Sequence, residues 1–250
     1  MYLLKLSLVS HLICDFILQS KNMVLMKYER KARGYLYHFL THFFVSFILV
    51  IFAIKHFLMS FGYALVFSFI HILIDILKDL FKKDNAKKDL LVFLLDQLVH
   101  VATIFLLAYN IIYVKSITVF TYPSFNYLNY LYYFSMDIDD ALTVIIFYLI
   151  VLFAGSILLE KILKVIDIKI KDEDEISMGK YIGIIERALI LTIVVFGEIS
   201  SIGIIFTAKS LARYKELSEK RFVEYYLLGT LSSLFLALMG GLILRSLLYW

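Results

Sequence analysis

Seven apolar runs dominate the chain, at roughly residues 1–20, 36–60, 61–81, 90–113, 141–166, 181–208 and 222–248. About twenty apolar residues suffice to cross a bilayer core as a helix. Lipid offers the backbone no hydrogen-bond partner, so such runs must be helical. The expected fold class is therefore all-α: a polytopic membrane protein with about seven transmembrane helices in the cell membrane. Composition points the same way. The 250 residues are 62% hydrophobic, with one proline and ten glycines, leaving little material for loops. The single cysteine, Cys14, lies within an apolar run, so there is no disulfide framework, and we read it as a small packing residue. The first run starts at Met1 without a small-residue cleavage pattern, which reads as a retained helix and not a removable leader.

The connections give the topology. Residues 21–35, KNMVLMKYERKARGY, are basic, and residues 78–89, KDLFKKDNAKKD, hold five lysines. Residues 114–140 contain Pro123, several tyrosines, Asp137, Asp139 and Asp140. Basic loops favour the cytoplasmic side. This places 21–35, 78–89 and the acidic connection 161–180 inside, and the aromatic loop 114–140 and the N-terminus outside. The second and third runs abut at Ser60–Phe61–Gly62, where only a short hairpin fits. Simple alternation would put the basic stretch 209–221 outside. A broken or re-entrant sixth segment resolves that conflict, and Gly197–Glu198 and Gly203 permit a break there. The chain divides into a four-helix membrane bundle (1–113), the external loop (114–140) and a three-segment membrane unit (141–250).

Polar residues inside the apolar runs are not scattered. His11 and Asp15, His38 and His42, His71 and Asp75, and Asp96 and His100 each stand four residues apart, one pair per helix of the first unit. Residues at i and i+4 share a helix face. Successive helices run in opposite directions, so all eight fall in the same half of the bilayer, the cytoplasmic half in the topology above. A charged side chain in lipid costs about 2.5–3.5 kcal/mol on insertion scales. Eight such groups at one level call for a common partner. Imidazole and carboxylate are ligands for zinc, iron or manganese, and four-helix bundles project such ligands inward. The expected cofactor is a divalent transition metal, one or two ions, with all eight residues as ligands. Asp15 and Asp75 are the candidates for general base. Gln19, Lys78 and Gln97 are candidates for supporting hydrogen bonds or substrate contacts. His56, the sixth histidine, ends a helix near the opposite surface.

The stretch HLICDFILQ (11–19), the His38/His42 pair, HILID (71–75) and DQLVH (96–100) resemble a bacterial membrane family catalogued as domain of unknown function 3307, over about residues 1–113. That resemblance implies a polytopic protein of the bacterial inner membrane, with no activity attached. The way the helices present His and Asp is also similar to membrane-bound metal-dependent hydrolases, which implies hydrolysis by analogy.

In the last unit Glu198 lies within an apolar run, with Arg187, Lys209 or Arg213 as its candidate partner. Lys209 and Arg213 could also contact an anionic headgroup or phosphate, or lock helices together as ion pairs. Gly229, Ser232, Ser233, Gly240 and Gly241 suit close helix contact. The chain has no phosphate-cradling loop, no dinucleotide fingerprint and no nucleophile elbow. The basic loops are explained by topology, so no nucleic-acid partner is expected. Expected partners are membrane lipid, with a homo-oligomer or a soluble partner left open. The leading reading is an integral membrane metal-dependent hydrolase acting on a lipid-linked or amphiphilic substrate at the cytoplasmic side. Two alternatives stand beside it: a transporter or channel for protons or a divalent ion, and a membrane scaffold or sensor with a structural metal. A pathway should place polar groups through both leaflets, and Glu198 is the feature that favours one.

Overall fold

A computed structural model describes residues 1–81, 85–113, 137–166, 173–214 and 220–248. Among the described residues the chain is all-α, with no strand. The helices are α1 (Tyr2–Ile13), α2 (Lys21–Tyr28), α3 (Ala32–Ile54), α4 (Phe57–Leu80), α5 (Ala86–Tyr113), α6 (Ile138–Leu149), α7 (Gly155–Val165), α8 (Glu173–Phe196), α9 (Ile202–Ala212) and α10 (Lys220–Leu248). Among the described residues five helical stretches, against the seven expected, are long and apolar enough to cross a membrane: Ala32–Ile54, Phe57–Leu80, Ala86–Asn110, Ile138–Val165 and Tyr226–Leu248. They become six if the bent pair Tyr2–Leu18 and Lys21–Tyr28 is one span. Most of the expected aromatic loop, residues 114–136, lies outside the described residues.

The chain forms two compact units, Met1–Asp84 with Leu91–Ile146, and Asn85–Leu90 with Phe147–Trp250. In the first, α1 runs into a π-helical turn, Cys14–Leu18, and stops at Gln19, whose backbone is extended. Ser20 then caps α2, its hydroxyl accepting the Met23 N–H at 3.3 Å. The two arms meet at 89°. The basic stretch after the first run, expected as a loop, is therefore mostly helix, with only residues 29–31 between α2 and α3. Gly34 lets α2 lie against the start of α3: a Cβ there would fall 2.8 Å from Met26 Cβ and 2.9 Å from the Lys27 backbone nitrogen.

The turn between α3 and α4 comes earlier than the hairpin expected at Ser60–Phe61–Gly62. Lys55 adopts the left-handed conformation, φ 52°, and His56 caps α4, its Nδ1 accepting the Met59 N–H at 3.4 Å. A local αL residue closes the helix without glycine, and Gly62 sits inside α4. Lys5 of α1 ties to α6, donating to the Asp139 carboxylate at 2.5 Å and the Thr143 hydroxyl at 2.8 Å.

In the second unit, a core of Val151, Ile190, Leu191, Val194, Ile202 and Ala237 joins α8, α9, α10 and the π-helical turn Ile150–Ala154. The π turn leaves carbonyls without their usual partner four residues on. The buried Arg187 satisfies two of them: Nε donates to Val151 O and Nη2 to Leu152 O, each at 2.9 Å. Its remaining donors reach Ser156 and, at 3.2 Å, Ser233. Arg187 therefore serves the turn, not Glu198. Lys209 turns to Glu186 at 2.6 Å. The sixth run breaks at Gly197–Glu198, where Gly197 has φ 84°; Glu198 is exposed at the break. Arg213 ends α9. The connection expected over 161–180 is shorter, because α7 reaches Val165 and α8 begins at Glu173.

Gly240 and Gly241 sit where α10 meets its neighbours; a Cβ would fall 2.6 Å from Val151 Cγ2 and 2.7 Å from Val194 Cβ, respectively. Overpacking of this kind costs about 1–3 kcal/mol. Gly241→Val should lower the thermal midpoint of the purified protein in detergent. Gly62→Ala, at a position with nothing within 4 Å, should leave the midpoint unchanged or raise it. Equal effects of the two would refute the packing of α10 described here.

Candidate functional site

The helical period turns each i, i+4 pair of the first unit toward one place, and the eight side chains meet. They divide around two carboxylates. Asp15, in the π turn after α1, is the centre of the first group. His42 Nε2 lies 2.8 Å, His71 Nε2 3.2 Å and His38 Nε2 3.3 Å from the same oxygen, Asp15 Oδ1. His11 Nδ1 faces the other oxygen at 3.7 Å. All four imidazoles are buried, and the Asp15 side chain is 10% exposed. A π turn carries an extra residue per turn and commonly marks functional positions; here it holds the Asp15 carboxylate among the rings of α3 and α4.

His38 Nε2 and His71 Nε2 are 3.2 Å apart, both within 3.3 Å of Asp15 Oδ1, so these atoms are close enough to one another to serve as ligands of a single cation. A tetrahedral metal with bonds of about 2.0–2.2 Å keeps its ligand atoms about 3.3–3.5 Å apart. Around Asp15 Oδ1 the separations of 3.2 and 3.3 Å to His71 and His38 lie close to that range, and the 2.8 Å to His42 falls about half an ångström short of it, so His42 would draw back to share an ion. The donor set of imidazoles and a carboxylate fits such an ion.

The second group surrounds Asp75 on α4. Lys78 Nζ donates to Asp75 Oδ1 at 2.6 Å and lies 3.3 Å from Asp96 Oδ2. Lys27 of α2 is buried and forms a close ion pair with Asp75 Oδ2. His100 Nε2 is 3.3 Å from Asp96 Oδ1 and 3.8 Å from Asp75 Oδ1. His38 Nε2 bridges the groups, 3.5 Å from Asp75 Oδ2. Gln97 joins His11 (3.3 Å) to Asp96 (3.1 Å), and Gln19 Nε2 lies 3.3 Å from His38 Nε2. The rings of His42 and His71 stack at 3.7 Å, and those of His71 and His100 at 4.0 Å.

All eight candidate ligands and Gln19, Lys78 and Gln97 are thus assembled in the first unit. Glu198, Lys209 and Arg213 belong to the second unit, where Lys209 pairs with Glu186. Sequence reasoning missed Lys27, which it assigned to a basic loop. Ser20 three residues before Met23 was the available signal, an N-cap announcing α2. It also missed the buried hydroxyls of Ser7, Ser46, Ser60, Tyr63 and Ser68, which repeat the face of the candidate ligands further along the same helices.

Removing one partner of a buried ion pair is strongly destabilising, and contacting residues couple by about 0.5–3 kcal/mol in double-mutant cycles. The cycle of Lys27→Ala with Asp75→Ala, followed by thermal unfolding in detergent, should return a coupling in that range. Additive effects would show that α2 is not held by this pair.

A family model described as "Protein of unknown function (DUF3307)" matches residues 3–128. Among curated proteins and among solved structures, nothing matches.

Proposed function

The chain belongs to the DUF3307 family, and from that premise we propose that it is an integral membrane protein that holds one divalent transition metal at Asp15, His38, His42 and His71 and uses it for hydrolysis. The observation that carries this reading is the convergence of three imidazole Nε2 atoms within 3.3 Å of one Asp15 oxygen. His11 stands beside this set and can complete it or orient it.

One ion is favoured over two. The place between Asp75 and Asp96, where a second metal would sit, is already served by the Lys78 ammonium, 2.6 and 3.3 Å from their oxygens. A second cation there would meet two lysines. Asp75 therefore acts in this reading by holding Lys27 and Lys78 beside the metal, and Asp96 and His100 support it. A metal supplies a lowered pKa to a bound water and polarises a carbonyl or phosphoryl oxygen. The two ammonium groups add positive charge where negative charge would develop on such an oxygen. The substrate class is lipid-linked or amphiphilic, because the site lies in the half of the helices that carries the basic connections 21–35 and 78–89. Those connections favour the cytoplasmic side.

Elemental analysis of protein purified in detergent should give about one zinc, iron or manganese per chain. Asp15→Ala and His42→Ala should each lose it, while Asp96→Ala should keep most of it. Trace metal in the wild type, or full metal in Asp15→Ala, would overturn the site. Hydrolysis is tested separately: metal-loaded protein should cleave a member of a panel of lipid-linked esters and phosphoesters, and a chelator should abolish the cleavage. A loaded protein inert across the panel would leave the metal without the proposed reaction.

A further inference from the structure

The polar face of the first unit does not end at the imidazoles. From the π turn back along α1 the series Asp15, His11 continues to Ser7; on α3 the series His38, His42 continues to Ser46; on α4 the series Asp75, His71 continues through Ser68 and Tyr63 to Ser60 and the capping His56. Ser7, Ser46, Ser60 and Ser68 are fully buried, and Tyr63 nearly so. At 1.5 Å per residue, the nineteen steps from His56 to Asp75 cover about 28 Å, close to the ~30 Å of a hydrocarbon core. His56 is exposed at the far end of this line.

Some of these hydroxyls have an evident local bond. Ser7 donates to Leu3 O at 2.9 Å, and Ser46 donates to Phe43 O at 3.2 Å. Ser7 and Tyr63 also join across helices, oxygen to oxygen, at 2.7 Å. The Oγ atoms of Ser60 and Ser68 are buried without a hydrogen-bond partner among the described residues. An unsatisfied buried hydroxyl costs about 1–3 kcal/mol. Alanine would pack the same close helix contact without that cost, so small size alone does not account for serine at both positions.

We propose that the line His56, Ser60, Tyr63 with Ser7, and Ser68 is a proton-conducting track that links the end of the bundle at His56 with the His/Asp layer. Adjacent groups along α4 are three to five residues apart, about 4.5–7.5 Å of helix rise; one water or hydroxyl joins oxygens about 5.5 Å apart, so the shorter steps need one and the five-residue step from Tyr63 to Ser68 needs two. None of the hydroxyls has to ionise. In a concerted relay each oxygen gains one proton as it gives up its own, so one O–H bond forms as another breaks, charge moves along the line and every hydroxyl ends neutral. A metal ion is the less suitable traveller, since the track contains hydroxyls and no carboxylate between His56 and His71. The proposal does not depend on the layer holding a metal.

The test uses the full chain reconstituted in liposomes with a trapped pH-sensitive dye and a potassium diffusion potential as driving force. Wild-type vesicles should take up protons at least fivefold faster than protein-free vesicles. The Ser7→Ala/Tyr63→Phe double variant should lose most of that flux, and Ser68→Ala should reduce it, with Ser68→Thr restoring it. Metal content and elution as a single species should stay at wild-type values in all three, which separates loss of the track from loss of the fold or of the metal site. If Ser7→Ala/Tyr63→Phe does not fold, Ser68→Ala against Ser68→Thr decides alone. Wild-type flux equal to that of empty vesicles, or variants that conduct as the wild type does, would overturn the proposal.

Discussion

The Asp15 carboxylate is the group on which the first unit depends. A buried carboxylate is tolerated only when its oxygens are engaged, and Asp15 engages rings from α1, α3 and α4 at once. That requirement fixes the rotation of three helices about their axes. It also accounts for the π turn: the residue inserted at Cys14–Leu18 advances the carboxylate, and the same irregularity ends α1. The chain then bends through 89° into α2, whose Lys27 returns to neutralise Asp75. Two carboxylate centres, one wrapped in imidazoles and one clamped by ammonium groups, are thereby held side by side, with His38 common to both.

The convergence of the four His/Asp pairs was legible in the sequence because it rests on the most reliable rule available, the period of the helix. Four i, i+4 pairs on antiparallel neighbours had to come to one level. What was not legible depends on departures from that period. Lys27 reaches Asp75 only through the π turn, the Ser20 cap and the close approach at Gly34. In the second unit, Arg187 was expected to seek a carboxylate, and it instead serves the carbonyls that the Ile150–Ala154 turn exposes. The break at Gly197 was visible because glycine is the residue that takes φ 84° without strain. The turn at Lys55 was not, since nothing about lysine announces a left-handed residue, and Gly62 drew the expectation to the wrong place.

The hydroxyl line changes how the alternatives stand. Concentration of charge in one half of the bundle separates a localised site from a pathway only if the other half is apolar. The buried face of α4 is not: Ser60, Tyr63 and Ser68 continue it as neutral groups that a count of charged residues passes over. A localised metal centre and a proton track can coexist in one bundle, because the first needs ligands converging at one level and the second needs only hydroxyls at intervals of a turn or so.

X-ray absorption at the metal edge of the purified protein is the most direct measurement of the central claim. The account predicts one site with nitrogen and oxygen ligands at about 2.0–2.2 Å, with multiple scattering from three or more imidazoles. A spectrum of water oxygens alone, or of two metals about 3.5–4 Å apart, would contradict it.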